Sequence, residues 1–253
     1  MEVHHHPQLK HSAKPWKEYV LEGLMIFLAV MMGFFAESFR EHLSDRAKET
    51  EFMRSMIEDL KADTTAMNLE LKTYPDEFKK IDTMLTALKS DKPDGDLISR
   101  FVAEDFWMYG GYSYNNRTIQ QLRNAGNFRL IRNQEVADRI IKYDNNQTVF
   151  MLNQYRDLQA TMMAYKDVEA RAIRYKELKN SKNSDYLLYF DPSDFDHTGK
   201  HAYITPDKEL IALYYNRLFT HEVLGQTFLK NMKHTRAKAI ALIAFIKKEY
   251  GLD

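Results

Sequence analysis

No cysteine occurs in the 253 residues, which removes disulfides, thiolate nucleophiles and cysteine-built zinc or iron–sulfur centres together. Glycine is scarce as well: nine residues leave little room for a phosphate-cradling loop or a dinucleotide fingerprint. The chain also has no HExxH helix and no nucleophile elbow, and no Ser, His and carboxylate stand out as a set by placement. Net charge is missing too. Lysine plus arginine equals aspartate plus glutamate at 36 each, and removing residues 1–39 leaves the remainder nearly neutral. Without a basic field, nucleic acid is not an expected partner. These absences make an enzyme the lesser reading, and no cofactor is called for.

One long apolar run is present. Tyr19 to Phe39 reads YVLEGLMIFLAVMMGFFAESF, with an uninterrupted apolar centre from Gly23 to Ala36. As a helix these positions reach about 31 Å, close to the hydrocarbon thickness of a bilayer. The run is read as a transmembrane helix, retained rather than cleaved as a secretory signal. Cutting after Ala36 would put bulky Phe34 where a small residue is needed, and the apolar spacing continues past that point. Trp16 and Tyr19 suit one headgroup belt and Phe39 the other. Glu22 and Glu37 bracket the centre within a turn of either interface, where water solvates them more readily than at mid-membrane. Ala29 and Gly33 are four apart, a small-xxx-small spacing that lets two helices approach. The lysines Lys10, Lys14 and Lys17 on one side nearly balance Arg40, Arg46, Lys48 and Arg54 on the other. The short lysine-bearing tail, simplest to leave in the cytoplasm, tips the expectation towards a body outside the inner membrane.

Residues 1–18 form a polar tail whose His4, His5, His6 and His11 suggest adventitious metal binding rather than a built site. Residues 19–39 are the membrane helix and residues 40–253 the extramembrane part. Beyond Phe39 the apolar stripe continues through Leu43, Thr50, Met53, Ile57, Leu60, Thr64, Met67 and Leu71, widened by Phe52 and Met56. Packing within the chain is favoured over a dimeric coiled coil, because the strict seam lasts only about three heptads. Pro75, followed by Asp76 and Glu77, suits the first turn of a second helix. A third is expected from Leu97 to about Tyr109 and a fourth over Thr118–Ala125, closed by Gly126 in the left-handed conformation. Asn133 is placed as the cap of a helix running to about Asn180, whose tyrosines are read as bundle positions with hydroxyls reaching water. The last helix starts at Thr205-Pro206, with Gly225 as a possible bend and Ala239–Ile246 as core.

The fold expected is all-α: one N-terminal transmembrane helix continuing into an elongated helical bundle with long antiparallel helices. The long connection 181–205 gathers Asp191, Asp194, Asp196, His197 and His201, the one cluster with metal-ligand character. Its spacing matches neither an EF-hand nor HExxH, so turn chemistry explains it at least as well.

Three stretches carry a resemblance. MEVHHHP with KPWKEY and LEGLMIFLAVMMGFFAESFREH, then SMIEDLKADT from Ser55, then QLRNAGNFRLIRN over Gln121 to Asn133 resemble blocks of single-pass membrane proteins from Bacteroidota that carry no assigned activity. The resemblance implies an inner-membrane position and a helical body, and implies no site residues. The function expected is a membrane-anchored helical scaffold or protein-interaction subunit, partnered by the bilayer and by copies of itself or other membrane proteins. An extracytoplasmic ligand-sensing bundle is the alternative, and a hydrolase using the Asp/His loop the third.

Overall fold

The structure, a computed structural model, describes residues 15–94, 97–98, 101–102, 112–174 and 203–252. These residues are almost wholly helical. The first helix, α1, spans Trp16–Leu88, and α2 spans Arg117–Asn124. A 3₁₀ turn over Asn127–Leu130 follows, then α3 over Gln134–Asn145, a π turn over Asn146–Met151 and α4 over Leu152–Ala172. Two short strands, β1 Ile173–Arg174 and β2 Tyr203–Ile204, pair antiparallel before α5, Lys208–Tyr250. The chain divides into two units, residues 1–51 and 52–253.

Within the first unit, α1 carries its apolar residues uncovered. It is the one described helix long and apolar enough to cross a membrane, and none of that apolar window is buried. Leu24, Phe27, Leu28, Val30, Phe34 and Phe35 are all exposed. So is Leu43, which extends the same stripe.

In the second unit the same helix becomes amphipathic and buries one face. Met53, Met56, Leu60 and Met67 share a core with Ile119 and Leu122 of α2, Val136 and Ile140 of α3, Leu158 of α4 and Phe228, Met232 and Leu242 of α5. A second cluster gathers Phe78, Ile81 and Met84 of α1 with Ile98, Phe101, Val102, Tyr165, Val168, Tyr214 and Leu218. The expectation of packing within the chain is met in this unit.

The helix start placed at Pro75 is corrected: Pro75 lies inside α1. A proline there forfeits one backbone bond and crowds a carbonyl, at about 3 kcal/mol. Phe78, Ile81, Met84 and Leu85 beyond it are buried, and full burial of such side chains stabilises by about 1.5–3 kcal/mol each. Packing therefore outweighs the breaker, and no glycine between Gly33 and Leu88 offers an alternative stop.

The helix expected from Asn133 to Asn180 is corrected in two ways. Asn133 does cap it, its side chain accepting the Glu135 and Val136 N–H groups at 3.0 and 3.3 Å. A π turn over residues 146–151 then interrupts the α ladder, and the helix ends at Ala172 as the chain turns into β1. Backbone pairing accounts for the stop: Ile173 lies opposite Ile204, and the Thr205 N–H donates to the Ala172 carbonyl at 2.9 Å. Tyr175 and the rest of that expected stretch lie outside the described residues, as does most of the expected helix 97–109.

The cap of α5 is Asp207 rather than Thr205, accepting from the Glu209 and Leu210 N–H groups at 2.9 and 3.2 Å. Gly126 is left-handed as expected, at φ 64°. Ala239, Leu242 and Ile246 are buried as expected. Gly225 has a role other than a bend. A Cβ placed on it would come within 2.1 Å of the Phe78 ring, so the missing side chain lets α5 meet α1 at this point.

Candidate functional site

Asp59 and Asp63 stand one turn apart on the buried face of α1, only 2% and 3% exposed. Carboxylates taken out of water are costly unless hydrogen-bonded, and here every oxygen has a donor. Asp59 Oδ2 accepts the Thr118 backbone N–H at 2.8 Å, and Oδ1 accepts from the Arg117 guanidinium at 3.0 Å. Asp63 Oδ1 accepts the Asn115 backbone N–H at 2.8 Å, and Oδ2 accepts the Tyr143 hydroxyl at 2.8 Å.

The bonds answer a local deficiency. The first-turn N–H groups of any α-helix lack intrahelical partners, and a capping side chain normally accepts one. Asn116, at the N-cap of α2, makes no such bond. Asp59 supplies the acceptor from 59 residues away in sequence, and its negative charge also suits the positive end of the helix. The two carboxylates thus clasp the segment that leads into α2.

A third buried acid completes the arrangement. Asp144 of α3 accepts the Tyr114 hydroxyl at 2.8 Å and the Arg123 guanidinium at 2.6 Å. The π turn adds Gln147, fully buried, whose Nε2 donates to the Tyr143 hydroxyl oxygen at 2.5 Å and whose Oε1 accepts the Tyr112 hydroxyl. An extra residue in a helical turn re-aims the side chains that follow. Tyr114 packs edge-on to Tyr143 with ring centres 6.1 Å apart, and Tyr112 edge-on to Phe228 at 5.7 Å.

Burial pushes the Asp63 carboxyl up to about 6; the bonds from Asn115 and Tyr143 oppose the rise, and the charge of Asp59 adds to it. Burial also raises Tyr112, Tyr114 and Tyr143 well above the ordinary phenol range, with the neighbouring carboxylates reinforcing the shift. The tyrosines therefore keep their protons at physiological pH, and Asp63 is the group whose charge can change. What the arrangement does chemically is hold a backbone segment and take up or release one proton.

Two other places carry polar groups at depth. Beside Gly225 lies a cleft of about 480 Å³ lined by Pro75, Phe78, Lys79, Asp82, Glu222, Gln226 and Leu229. Burial, with the charge of Asp82, raises the Glu222 carboxyl, whose Oε1 accepts from Gln226 at 2.9 Å. Next to β1, the fully buried Glu169 accepts the Tyr214 hydroxyl at 2.6 Å and pairs with Lys166 at 3.3 Å. Thr161 and His221 meet at 2.9 Å nearby.

The residues marked from sequence fall elsewhere. Asp191, Asp194, Asp196, His197 and His201 lie outside the described residues, as does the histidine-bearing tail. Among the described residues, no three His, Asp or Glu side chains gather as a metal site. Ala29 and Gly33 are exposed, and a Cβ on Gly33 would meet nothing within 4 Å. Glu22 is exposed too, and Glu37 pairs with Arg40 across one turn at 2.5 Å. The expectation that tyrosine hydroxyls of the long helix reach water is corrected for Tyr143, which is buried because Asp63 and Gln147 give its hydroxyl a donor's and an acceptor's place inside.

Sequence reasoning passed over the acid–tyrosine site. One signal was available: Met56, Leu60, Asp63 and Met67 follow the helical steps of a single face, so Asp63 is an acid in an apolar stripe. The stretch SMIEDLKADT contains both Asp59 and Asp63, and QLRNAGNFRLIRN contains Arg123; two of the stretches quoted for the resemblance therefore meet at one network. Comparison with family models, curated proteins and solved structures gives no match to the chain.

Proposed function

We propose that the chain is a membrane-anchored helical scaffold or interaction subunit with no enzymatic activity of its own. The observation that carries this reading is the uncovered apolar window of α1, set against a second unit whose large apolar residues are mostly buried by its own helices. A lipid bilayer is the natural cover for an all-round apolar helix.

The body is proposed to be a bundle in which α4 and α5 run antiparallel. Its support is the order of their contacts: Gln154 meets Asn231, Thr161 meets His221 and Glu169 meets Tyr214, so one number falls as the other rises. The anchor is placed in a bacterial inner membrane with the body on the periplasmic side, following the lysine-bearing tail. Copies of the chain, or other membrane proteins, are its proposed partners, through the close approach that Ala29 and Gly33 permit.

Membrane attachment is tested by washing native membranes with alkaline carbonate: the chain stays in the pellet, and its release would end the scaffold reading. Because the chain has no cysteine, orientation is tested by single introduced cysteines. A membrane-impermeant maleimide should label Ser90→Cys and spare Ser12→Cys in intact cells stripped of their outer membrane. Native mass spectrometry in mild detergent tests self-association, with Gly33→Leu expected to lower the oligomer fraction.

The cleft beside Gly225 favours a second reading, a ligand-sensing bundle. A thermal-shift screen of small metabolites separates the two; a reproducible shift lost in Glu222→Ala would support sensing.

A further inference from the structure

The buried chain Tyr112, Gln147, Tyr143, Asp63 has a direction, and its direction is set at one end. An ionised carboxylate can only accept. Tyr143 must therefore donate to Asp63, which leaves its oxygen to accept from the Gln147 amide nitrogen. The Gln147 carbonyl then faces Tyr112, whose hydroxyl donates to it. Each link follows from the one before.

We propose that Asp63 is the input of a protonation switch: proton uptake reverses this hydrogen-bond chain and changes the role of the Tyr112 hydroxyl at its far end. The balance is simple. Asp63 gains one proton from solvent on Oδ2, while Oδ1 goes on accepting the Asn115 N–H. The new O–H donates to the Tyr143 oxygen. The Tyr143 hydroxyl turns to Gln147, whose amide rotates to present its carbonyl, and the amide nitrogen now donates to the Tyr112 oxygen. Tyr112 becomes an acceptor, and its own hydroxyl hydrogen is released from Gln147.

Three links exist before the reversal and three after it. Every deeply buried member keeps its links in both states, and the one hydrogen that is freed belongs to Tyr112, which is only half-buried, so the reversal orphans no group at full depth. The groups that bear on Asp63 are Asp59 on its own helix, Tyr143 from α3, and Tyr112 and Tyr114 from the segment before α2; Arg117 on Asp59, and Asp144 with Arg123 on Tyr114's side, stand one contact further out. Asp59 and Asp144 each hold an arginine. The tyrosines keep their protons because burial raises them. Asp63, pushed up by the same burial, is left as the group that responds near pH 6. No histidine is among these contacts.

The test uses the full chain in detergent micelles, labelled with ¹³C at the tyrosine Cζ and assigned by Tyr112→Phe and Tyr143→Phe. The Cζ signal reports whether a phenol donates or accepts. In the wild type, Tyr143 and Tyr112 should shift together between pH 4 and 8 with one midpoint near 6. Asp63→Asn, whose amide nitrogen donates to Tyr143 while its carbonyl accepts the Asn115 N–H, should hold both signals at their acid positions throughout. Gln147→Leu should leave Tyr143 responding and Tyr112 still. The proposal is overturned if neither signal moves in the wild type, if Tyr143 moves without Tyr112, or if Tyr112 still responds in Gln147→Leu. Should either variant lose its helical circular dichroism, the paired shift in the wild type decides alone.

Discussion

One helix, α1, does two different jobs along its length. Between Trp16 and Glu51 nearly all of its large apolar side chains are exposed, and no described residue of that unit buries them. From Phe52 to Leu88 the large apolar residues, Leu69 excepted, fall on one stripe, and other helices of the same unit bury it. The difference is one of pattern more than composition. A stripe about a hundred degrees wide can be matched by neighbouring stripes, whereas an all-round apolar surface needs a solvent that is itself apolar. The buried stripe also tolerates two carboxylates, Asp59 and Asp63, because α2, the segment before it and α3 bring donors to them; the exposed one places Glu37 where it pairs with Arg40 on its own helix.

The contrast breaks most easily on the exposed side. A charged residue at mid-membrane costs about 2.5–3.5 kcal/mol on insertion scales. Leu28→Arg with Val30→Arg should therefore shift the chain from the membrane pellet to the soluble fraction in alkaline carbonate. The thermal melting of the second unit should stay where it was, since neither side chain contributes to its core.

On the buried side the largest effect belongs to Gly225. Gly225→Ala drives a methyl group into the Phe78 ring, and overpacking of this kind costs about 1–3 kcal/mol. Denaturant unfolding should show that loss, and adding Phe78→Ala should make the glycine substitution nearly neutral. Helix propensity by itself favours alanine over glycine, so a loss that Phe78→Ala fails to relieve would mean that the Phe78 ring is not what the added methyl group meets.

Asp59→Ala sharpens the comparison at a single polar group. It orphans the Thr118 N–H and removes the nearer of two acids beside Arg117, leaving Glu58 at 3.6 Å, and an unsatisfied buried donor costs about 1–3 kcal/mol. Because Arg117 is more than half exposed and can be rehydrated, the lower part of that range is expected. Hydrogen exchange at Thr118 should accelerate well before the core amides of α5 respond.

A further, pH-dependent effect comes from Asp63. Its folded value, about 6, lies above the ordinary 3.8. The folded state therefore binds the proton more tightly than the unfolded state. This contribution to stability is fully present below about pH 4 and is lost as pH rises through about 6. Asp63→Asn should flatten that part of the stability profile. The smallest effect is Glu37→Gln: an exposed pair one turn apart on a helix adds little, so neither membrane retention nor melting should change.

Much of this arrangement is legible in the residues themselves. The run Tyr19–Phe39 declares its length and its lack of polar relief, and Asn133, Gly126 and the Asp207 region announce helix boundaries through local chemistry. Pro75 misleads because its local cost is real but small beside the burial of Phe78, Ile81 and Met84 further along. The end of α4 at Ala172 is hidden for a similar reason: its cause is a backbone partner at Thr205, distant in sequence. Asp63 stands in the apolar stripe, but which donors reach it and Asp59 is hidden until α2 and α3 are placed against them.

Sequence alone, then, determined the helical class, the position of the apolar segment and the boundaries at Gly126 and Asn133, because each depends on residues within a turn or two of one another. Tertiary structure decided that Pro75 stays inside a helix, that Gly225 is a point of contact, and that of two acids of α1 one caps α2 and the other holds the segment before it, both far away in sequence. Those outcomes depend on which surfaces meet, and the energy of a buried group is set by the neighbours that replace its water.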